Sequence, residues 1–352
     1  MNLVTSIDHI ATAAPVPVTL KFELLQPFVD DAHNIFIMPM FPTPMMNSLF
    51  YRLNTDDDPT LTEEIPSKDE TPLVTREILD ELNWWKLIHL VIKAESLYAL
   101  YLSVDELSVN LSGTGVTVIQ SDTHRPAPQY QVMNVKERYI ARAHEQMDLC
   151  LALIQNNFDT FNERAGDFYD SKLLVKDAKQ FQVYADIHAS RRVFLAMMPL
   201  MRNIEQRYLM PTLSRELYEL LYTQIASSAT LTDENKELMD YILPAVVHLT
   251  MARALVEINI DMLDWGIFNL ADNTFKNVQN KTLLQQNRLG EMQAAYQRDG
   301  DADMKALQEF LDNNASATKY AAYFGSSRYV GPATAVTRAE FINTSDKSIF
   351  VA

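Results

Sequence analysis

The chain has 352 residues, 47% hydrophobic and 22% charged, so it is long enough and apolar enough to bury a sizeable core. Its 46 acidic residues outnumber 30 Lys and Arg, giving a net charge of −16, which disfavours a protein that wraps nucleic acid, because phosphate binding depends on Lys and Arg. Only 8 glycines are present, against about 25 at average usage, which disfavours phosphate-binding loops and all-β folds.

The first 21 residues predict an extended N-terminal segment. They contain no basic region followed by a long apolar stretch, so we expect no signal peptide. No uncharged apolar run reaches about 18 residues, so we expect no membrane span. The single cysteine, Cys150, cannot form an intrachain disulfide and lies in an apolar run, which favours a buried core residue and a reducing cytoplasm.

Two stretches of the chain repeat one apolar and proline pattern at an offset of 172 residues. The offset superposes Phe22 on Phe194, Pro27 on Pro199, Met38 on Met210, Pro39 on Pro211 and Leu49 on Leu221. Because Pro is tolerated in a first helical turn and ends a helix deeper in, each copy predicts a helix that starts near its first proline and stops before its second. A short helix follows in each copy.

Apolar residues at spacings of three and four predict a long helix over residues 75–108 and another over 233–264. The offset between these helices is 158, as Ala94 on Ala252 and Leu97 on Leu255 illustrate. The loop before the long helix is therefore longer by 14 residues in the first copy.

That loop, residues 54–81, holds ten acidic and two basic residues, so it carries half of the net charge. With three prolines it predicts a mobile, solvated or partner-facing connection. A calcium site is the alternative interpretation, but the glycine and the spaced ligands of an EF-hand loop are absent.

A glycine turn at Gly113 and Gly115 leads into a β-branched run, and residues 126–132 predict a return strand, which makes a small hairpin. The last residues predict an extended segment ending in a strand over 348–351. The predicted fold class is mainly α, a duplicated helical unit with long helices, small β-hairpins and an extended C-terminal strand. The predicted divisions are residues 1–21, the first unit 22–165, a linking helix with the second unit 166–310, and the extended segment 311–352.

The residues that could carry chemistry match no catalytic or metal-binding motif. No His-Glu-x-x-His, Walker loop or Gly-x-Ser-x-Gly is present, and acid pairs such as Glu63-Glu64 lie in a flexible loop. We therefore expect no enzyme, no cofactor and no metal site. His89 and His248 are interpreted as core or interface histidines. Ser190, followed by two arginines, is interpreted as a helix cap rather than a phosphate grip.

The repeated pattern has a counterpart in a known family. The residues that carry it in the first copy are Leu25, Pro27, Phe28, Asp30-Asp31-Ala32, Phe36-Ile37, Pro39 and Ser112-Gly113-Thr114-Gly115, and in the linking helix Ala178, Phe181, Tyr184, Ile187, Ser190-Arg191-Arg192 and Phe194. The chain resembles the adaptor-like head–tail connector family of tailed phages and prophages of Bacteroidota. The chain departs from that pattern where a glycine usually follows the second proline, since Phe41-Pro42 and Leu213-Ser214 stand there.

The resemblance implies a structural virion protein, a ring of twelve copies in the virion neck, assembled in the cytoplasm of the bacterial host. The ring would dock on the portal, extend the DNA channel and offer a platform to further neck or tail proteins. Duplex DNA would pass an acidic lumen without specific binding. No membrane is expected. The alternatives are a helical protein-binding module or host-interaction protein, and an enzyme with an unrecognised carboxylate site.

Candidate partner contacts lie in three regions of the chain. We expect residues 333–352 to pack on a neighbouring subunit or on the portal, and hairpin edges to allow strand addition. The candidates are Asp56, Asp57, Asp58, Glu63 and Glu64 in the acidic loop, Val116 and Val118 in the hairpin, and Arg328, Arg338, Phe341, Ile349 and Phe350 toward the C-terminus.

Overall fold

A computed structural model describes residues 2–17, 20–55, 76–107, 109–112, 115–118, 128–165, 173–226, 231–257 and 286–331. The described part is mainly helical, which confirms the predicted class. Its residues form two apolar cores, one built between Leu3 and Phe161 and the other between Leu173 and Tyr323. We call the parts around these cores the first unit and the second unit. Leu195 packs against both cores.

The described helices of the two units follow each other in a similar order. The first unit contains α1 (Ile7–Ala13), α2 (Phe22–Ala32), the first π segment (His33–Ile37), a 3-10 turn (Met38–Met40), α3 (Thr43–Thr55), α4 (Arg76–Leu107), β1 (Val109–Ser112), β2 (Gly115–Val118), α5 (Gln129–Asn156) and α6 (Phe158–Ala165). The second contains α7 (Ala178–Gln182), α8 (Arg191–Ile204), the second π segment (Glu205–Leu209), α9 (Met210–Leu213), α10 (Arg215–Ala226), α11 (Asp233–Glu257), α12 (Gln286–Asn314) and α13 (Ala321–Phe324).

The long helices lie where the periodicity predicts them. α4 begins and ends within one residue of the predicted bounds, and α11 begins at the predicted residue. In each unit the long helix packs most extensively on the helix that follows it, α4 on α5 and α11 on α12. Cys150 on α5 is buried, as predicted, and burial raises the pKa of its thiol, so it behaves as a small apolar side chain.

The expectation of an extended segment over residues 1–21 is wrong over α1. The Ser6 hydroxyl caps that helix by accepting the His9 N–H at 3.4 Å, and Ile10 joins the first core. The second unit begins in the same way, since Asp177 caps α7 by accepting the Gln180 N–H at 2.8 Å.

The first prolines of the repeated pattern lie inside helices, not at their starts. α2 begins at Phe22 and continues through Pro27, and α8 likewise contains Pro199. Pro27 and Glu23 are both exposed, so water can solvate the carbonyl that proline leaves without a donor. The second prolines do mark a change of helix type, since Pro39 lies in the 3-10 turn and Pro211 in the first turn of α9.

The hairpin pairs differently from the prediction. β1 and β2 are antiparallel, with Val109 opposite Val118 and Ser112 opposite Gly115. The predicted return strand over 126–132 is wrong from residue 129 onward, because those residues form the first turn of α5.

The predicted extended segment 311–352 is wrong over its first part, because α12 continues to Asn314 and α13 follows. The terminal strand over 348–351 lies outside the described residues.

Ser214 occupies one of the places where the resembled family has glycine. Its φ of 70° and ψ of 153° lie in a region that glycine adopts readily and other residues rarely do. The serine hydroxyl accepts the Leu217 N–H at 3.4 Å at the start of α10. A side-chain cap is therefore present where glycine would relieve the backbone.

Gly300 allows α12 to approach α11 closely. A Cβ placed on Gly300 would lie 2.7 Å from Leu249 Cγ and 3.1 Å from the Leu249 backbone nitrogen. We expect Gly300→Ala to lower the free energy of unfolding by about 1 to 3 kcal/mol, because a packed helix pair must separate to accept the methyl group. Urea-induced unfolding measures the change.

Gly290, on the same helix, is the matched control. A Cβ there would meet no atom within 4 Å. Gly290→Ala should raise the free energy of unfolding by about 0.5 to 1 kcal/mol through helix propensity alone. Equal effects of the two variants would contradict the close approach.

Candidate functional site

Few of the residues predicted to contact partners lie in the described part of the chain. Arg328 follows α13, is exposed, and its carbonyl accepts the Tyr323 hydroxyl at 3.4 Å. Val116 and Val118 lie on β2, opposite Leu111 and Val109. The remaining candidates are outside the described residues: Asp56, Asp57, Asp58, Glu63, Glu64, Arg338, Phe341, Ile349 and Phe350. The described residues therefore bring together no site from this set.

Among the described residues, two carboxyl groups are buried, one in each unit. Glu95 on α4 is fully buried, and Glu205 at the start of the second π segment is 1% exposed. A charged carboxylate in a core is costly unless donors surround it, so such groups are either structural anchors or functional centres. The sequence contains no signal for either, because isolated glutamates in apolar helices occur also on exposed faces.

Glu95 in the first unit pairs with the first residue of the first π segment. Its Oε1 lies 3.2 Å from His33 Nδ1, and both side chains are buried. Glu95 Oε2 has no hydrogen-bond partner among the described residues. Burial raises the pKa of Glu95, and the His33 imidazole and the nearby backbone amides of Leu3 and Val4 partly offset the rise.

Both carboxyl oxygens of Glu205, in the second unit, accept hydrogen bonds. Its Oε1 accepts the backbone N–H of Leu174 at 2.8 Å, and its Oε2 accepts the Tyr218 hydroxyl at 2.8 Å. Burial raises the pKa of Glu205 to about 7, against the opposing effect of these two hydrogen bonds and of Arg202. Burial also raises the pKa of Tyr218, and the neighbouring Glu205 adds to that rise.

Both carboxyl groups lie beside the segment that leads into their unit. Leu3 and Val4 precede α1, and Leu174 and Val175 precede α7 at an offset of 171; all four are buried. In each unit, backbone amides of this leading segment face a buried acid. Glu205 therefore holds the start of the second unit through the Leu174 N–H, and Glu95 lies near the amides that begin the first unit.

The geometry at Glu205 favours this structural role over catalysis. A pKa near 7 is in the range that a general acid or base uses. A catalytic group must also reach a substrate, whereas both Glu205 oxygens are already hydrogen-bonded inside the core. The described residues also contain no group of three or more His, Cys, Asp or Glu side chains that could hold a metal ion.

A polar junction joins the units at the start of α8. Ser190 caps the helix by accepting the Val193 N–H at 3.4 Å. Asp148 on α5 accepts the Arg192 N–H at 3.0 Å, and the Ser190 hydroxyl donates to the same carboxylate at 3.0 Å. The helix-cap interpretation is confirmed, because the Ser190 hydroxyl accepts the Val193 N–H and the nearby Asp148 carboxylate accepts a further free N–H of the first turn.

The histidines of the long helices have different environments. His248 on α11 is half-buried, with Nδ1 at 2.7 Å from Asp303 Oδ2 and Nε2 at 3.3 Å from the Tyr184 carbonyl oxygen. It is an interface histidine, as predicted. His89 on α4 is exposed, so it is not a core histidine, and its place at an interface stays a prediction.

Two helices are long and apolar enough to cross a membrane, by length and composition only. They are residues Leu79–Leu107 of α4 and the whole of α11, and 67% of each apolar window is buried inside the folded chain. Burial in a core explains the same composition, so this evidence for a membrane span is weak. The absence of a span stays a prediction.

Comparison with known proteins gives one family. A family model described as a family of unknown function, DUF6712, matches residues 51–165 and 209–333, together more than half of the chain. The chain belongs to this family. The two ranges matched by the DUF6712 model begin 158 residues apart, the offset that relates the long helices. Searches of curated proteins and of solved structures returned no match.

The buried acid of the second unit predicts a pH dependence. The pKa of Glu205 is higher in the folded protein than the ordinary 4.5, so wild-type stability should fall as pH rises from about 4.5 to about 7. Glu205→Gln mimics the protonated acid, since its amide can accept from Leu174 and donate to Tyr218. We expect no effect at pH 4 and a gain of about 2 to 3 kcal/mol at pH 8, measured by urea unfolding.

Glu216→Gln provides the matched control for this experiment, because Glu216 lies exposed on α10. Its stability relative to the wild type should not vary between pH 4 and pH 8. A difference between Glu205→Gln and wild type that stays constant over this range would contradict the buried-acid account.

The junction between the units predicts a second stability effect. Asp148→Ala leaves the Arg192 N–H and the Ser190 hydroxyl without their acceptor, so we expect a loss of about 1 to 3 kcal/mol. Amide hydrogen exchange should show lost protection in the first turn of α8. Asp240→Ala, at an exposed position of α11, is the control and should change neither quantity.

Proposed function

We propose that the chain is a structural protein of a phage virion, a head–tail connector subunit whose copies form a ring on the portal. The observation that carries the proposal is the paired construction of the molecule. It has two helical units with separate cores, and the buried carboxyl groups face the segments that begin each unit. Such an arrangement suits a rigid building block. The resemblance in sequence is what points to a ring that docks on a portal.

We infer that the two units are copies of one unit. Three sequence offsets support this inference: 171 residues between the leading segments, 172 between the π segments and 158 between the long helices. The π segments are the strongest support, because a π turn is rare and each begins at the same place in the repeated pattern. The small change in offset has its source in the longer acidic loop.

The charge of the chain fits the proposed DNA channel. The chain carries a net charge of −16, half of it in residues 54–81, most of which lie outside the described residues. An acidic wall repels duplex phosphates, so DNA would slide past without binding. The expected setting is the virion neck, after assembly in the host cytoplasm, with the portal on one side and further neck or tail proteins on the other.

Microscopy of the purified full chain tests the proposal. We expect ring-shaped particles in negative stain, formed by the chain alone or on addition of a phage portal protein. Mass photometry should give a single closed multiple of the 40.2 kDa subunit. A chain that stays monomeric at every concentration and never docks on a portal would overturn the proposal.

A shortened chain that ends at Gly331 tests the proposed C-terminal contact independently of the ring. Residues 333–352 are expected to pack on a neighbour or the portal, so the shortened chain should assemble or dock less well than the full chain. Unchanged assembly and docking would contradict that contact and leave the ring in place.

A further inference from the structure

Equivalent outer faces of the two units carry opposite charge. Between residues 22 and 40 the exposed charged side chains are Glu23, Asp30 and Asp31. Between residues 194 and 212, the same stretch at the offset of 172, they are Arg202 and Arg207. We call these the acidic face, on α2 and the first π segment, and the basic face, on α8 and the second π segment. Asp30 corresponds to Arg202, so charge is reversed at the same place.

The acidic face also exposes apolar side chains. Leu24 is 55% and Ile35 is 56% exposed, and Asp31 lies between them on the same side of the helix. Aliphatic side chains exposed this far, in a row with charges beside them, are typical of a surface that a partner covers. At the corresponding positions, the basic face has Ala196 and Arg207.

The charges on these faces are available for a partner. Among the described residues, Arg202 and Arg207 form no ion pair within 4 Å, and neither do Glu23 and Asp31. Asp30 accepts a hydrogen bond from the Asn2 amide, which leaves its charge in place. Since both faces are exposed in one chain, they do not cover each other within that chain.

We propose that the acidic face of one copy docks on the basic face of the next copy. Charge complementarity selects this pairing, because two acidic or two basic faces would set like charges against each other. Two different faces of one chain form a head-to-tail contact, which closes into a ring when the rotation per copy allows. The inference rests on the proposed ring and identifies the two faces through which neighbouring copies contact each other.

Charge reversal in pairs tests the docking. Asp30→Arg with Asp31→Arg turns the acidic face basic, and Arg202→Asp with Arg207→Asp turns the basic face acidic. Each double variant alone should associate at least about tenfold more weakly than wild type in sedimentation velocity at low salt. A mixture of the two should assemble again, because each then offers the charge that the other lacks.

Matched controls change net charge by the same amount away from these faces. Glu216→Arg with Asp240→Arg adds four positive charges, and Arg215→Asp with Lys305→Asp adds four negative ones, all at exposed positions. Both should assemble like wild type. Circular dichroism confirms that every variant is folded, and restored assembly in the mixture shows directly that both double variants are intact.

The outcomes separate this inference from the proposed function. If the wild type forms rings and either double variant forms them equally well, the docking of these faces would be overturned and the ring would stay in place. Loss of assembly in the double variants without restoration in the mixture would also overturn the docking, since it would indicate another partner for these faces. A wild type that never assembles would overturn the proposed ring and this inference together.

Discussion

A carboxyl group taken out of water requires donors or a proton, and each unit of this chain packs around one such group. Glu205 finds its donors in the Leu174 amide and the Tyr218 hydroxyl, which come from opposite sides of the second π segment in sequence. Glu95 is paired with His33 and lies beside the amides of the first leading segment. The Leu174 hydrogen bond ties the second leading segment to its π segment, and Leu3 and Val4 of the first leading segment are buried in the core that contains Glu95.

The two units satisfy this constraint with different residues. His33 and Glu205 open the two π segments, but Glu95 corresponds to Arg253, which is a quarter exposed and pairs with Glu257 at 3.6 Å. The buried acid therefore lies on the long helix in the first unit and on the π segment in the second. The first residue of each π segment is buried, so the π segment presents His33 to Glu95 in the first unit and Glu205 to the Leu174 amide in the second.

The two units also differ in the charge of their outer faces. A unit that is used twice would present the same face twice, and identical charged faces repel. Exchange of Asp30 for Arg202 at the corresponding position makes one face complementary to the other. Inside the chain, the units meet instead through the Asp148 carboxylate and the first turn of α8, so both outer faces stay free for other molecules. This division of surfaces suits a subunit that has neighbours on two sides.

The sequence by itself determined the helical class, the long helices, the burial of Cys150 and the offsets of 172 and 158, because these depend on local periodicity and on proline. It misplaced the first helix starts and the hairpin partner, because exposed Pro27 is tolerated inside a helix and the strand before Gly113 has no strong pattern. Only the tertiary structure decided which charged residues are buried. Leu174 and Glu205 are 31 residues apart, and Asp148 and Arg192 are 44 apart. Contacts over such separations arise when packed helices bring distant segments together, and no local pattern encodes them.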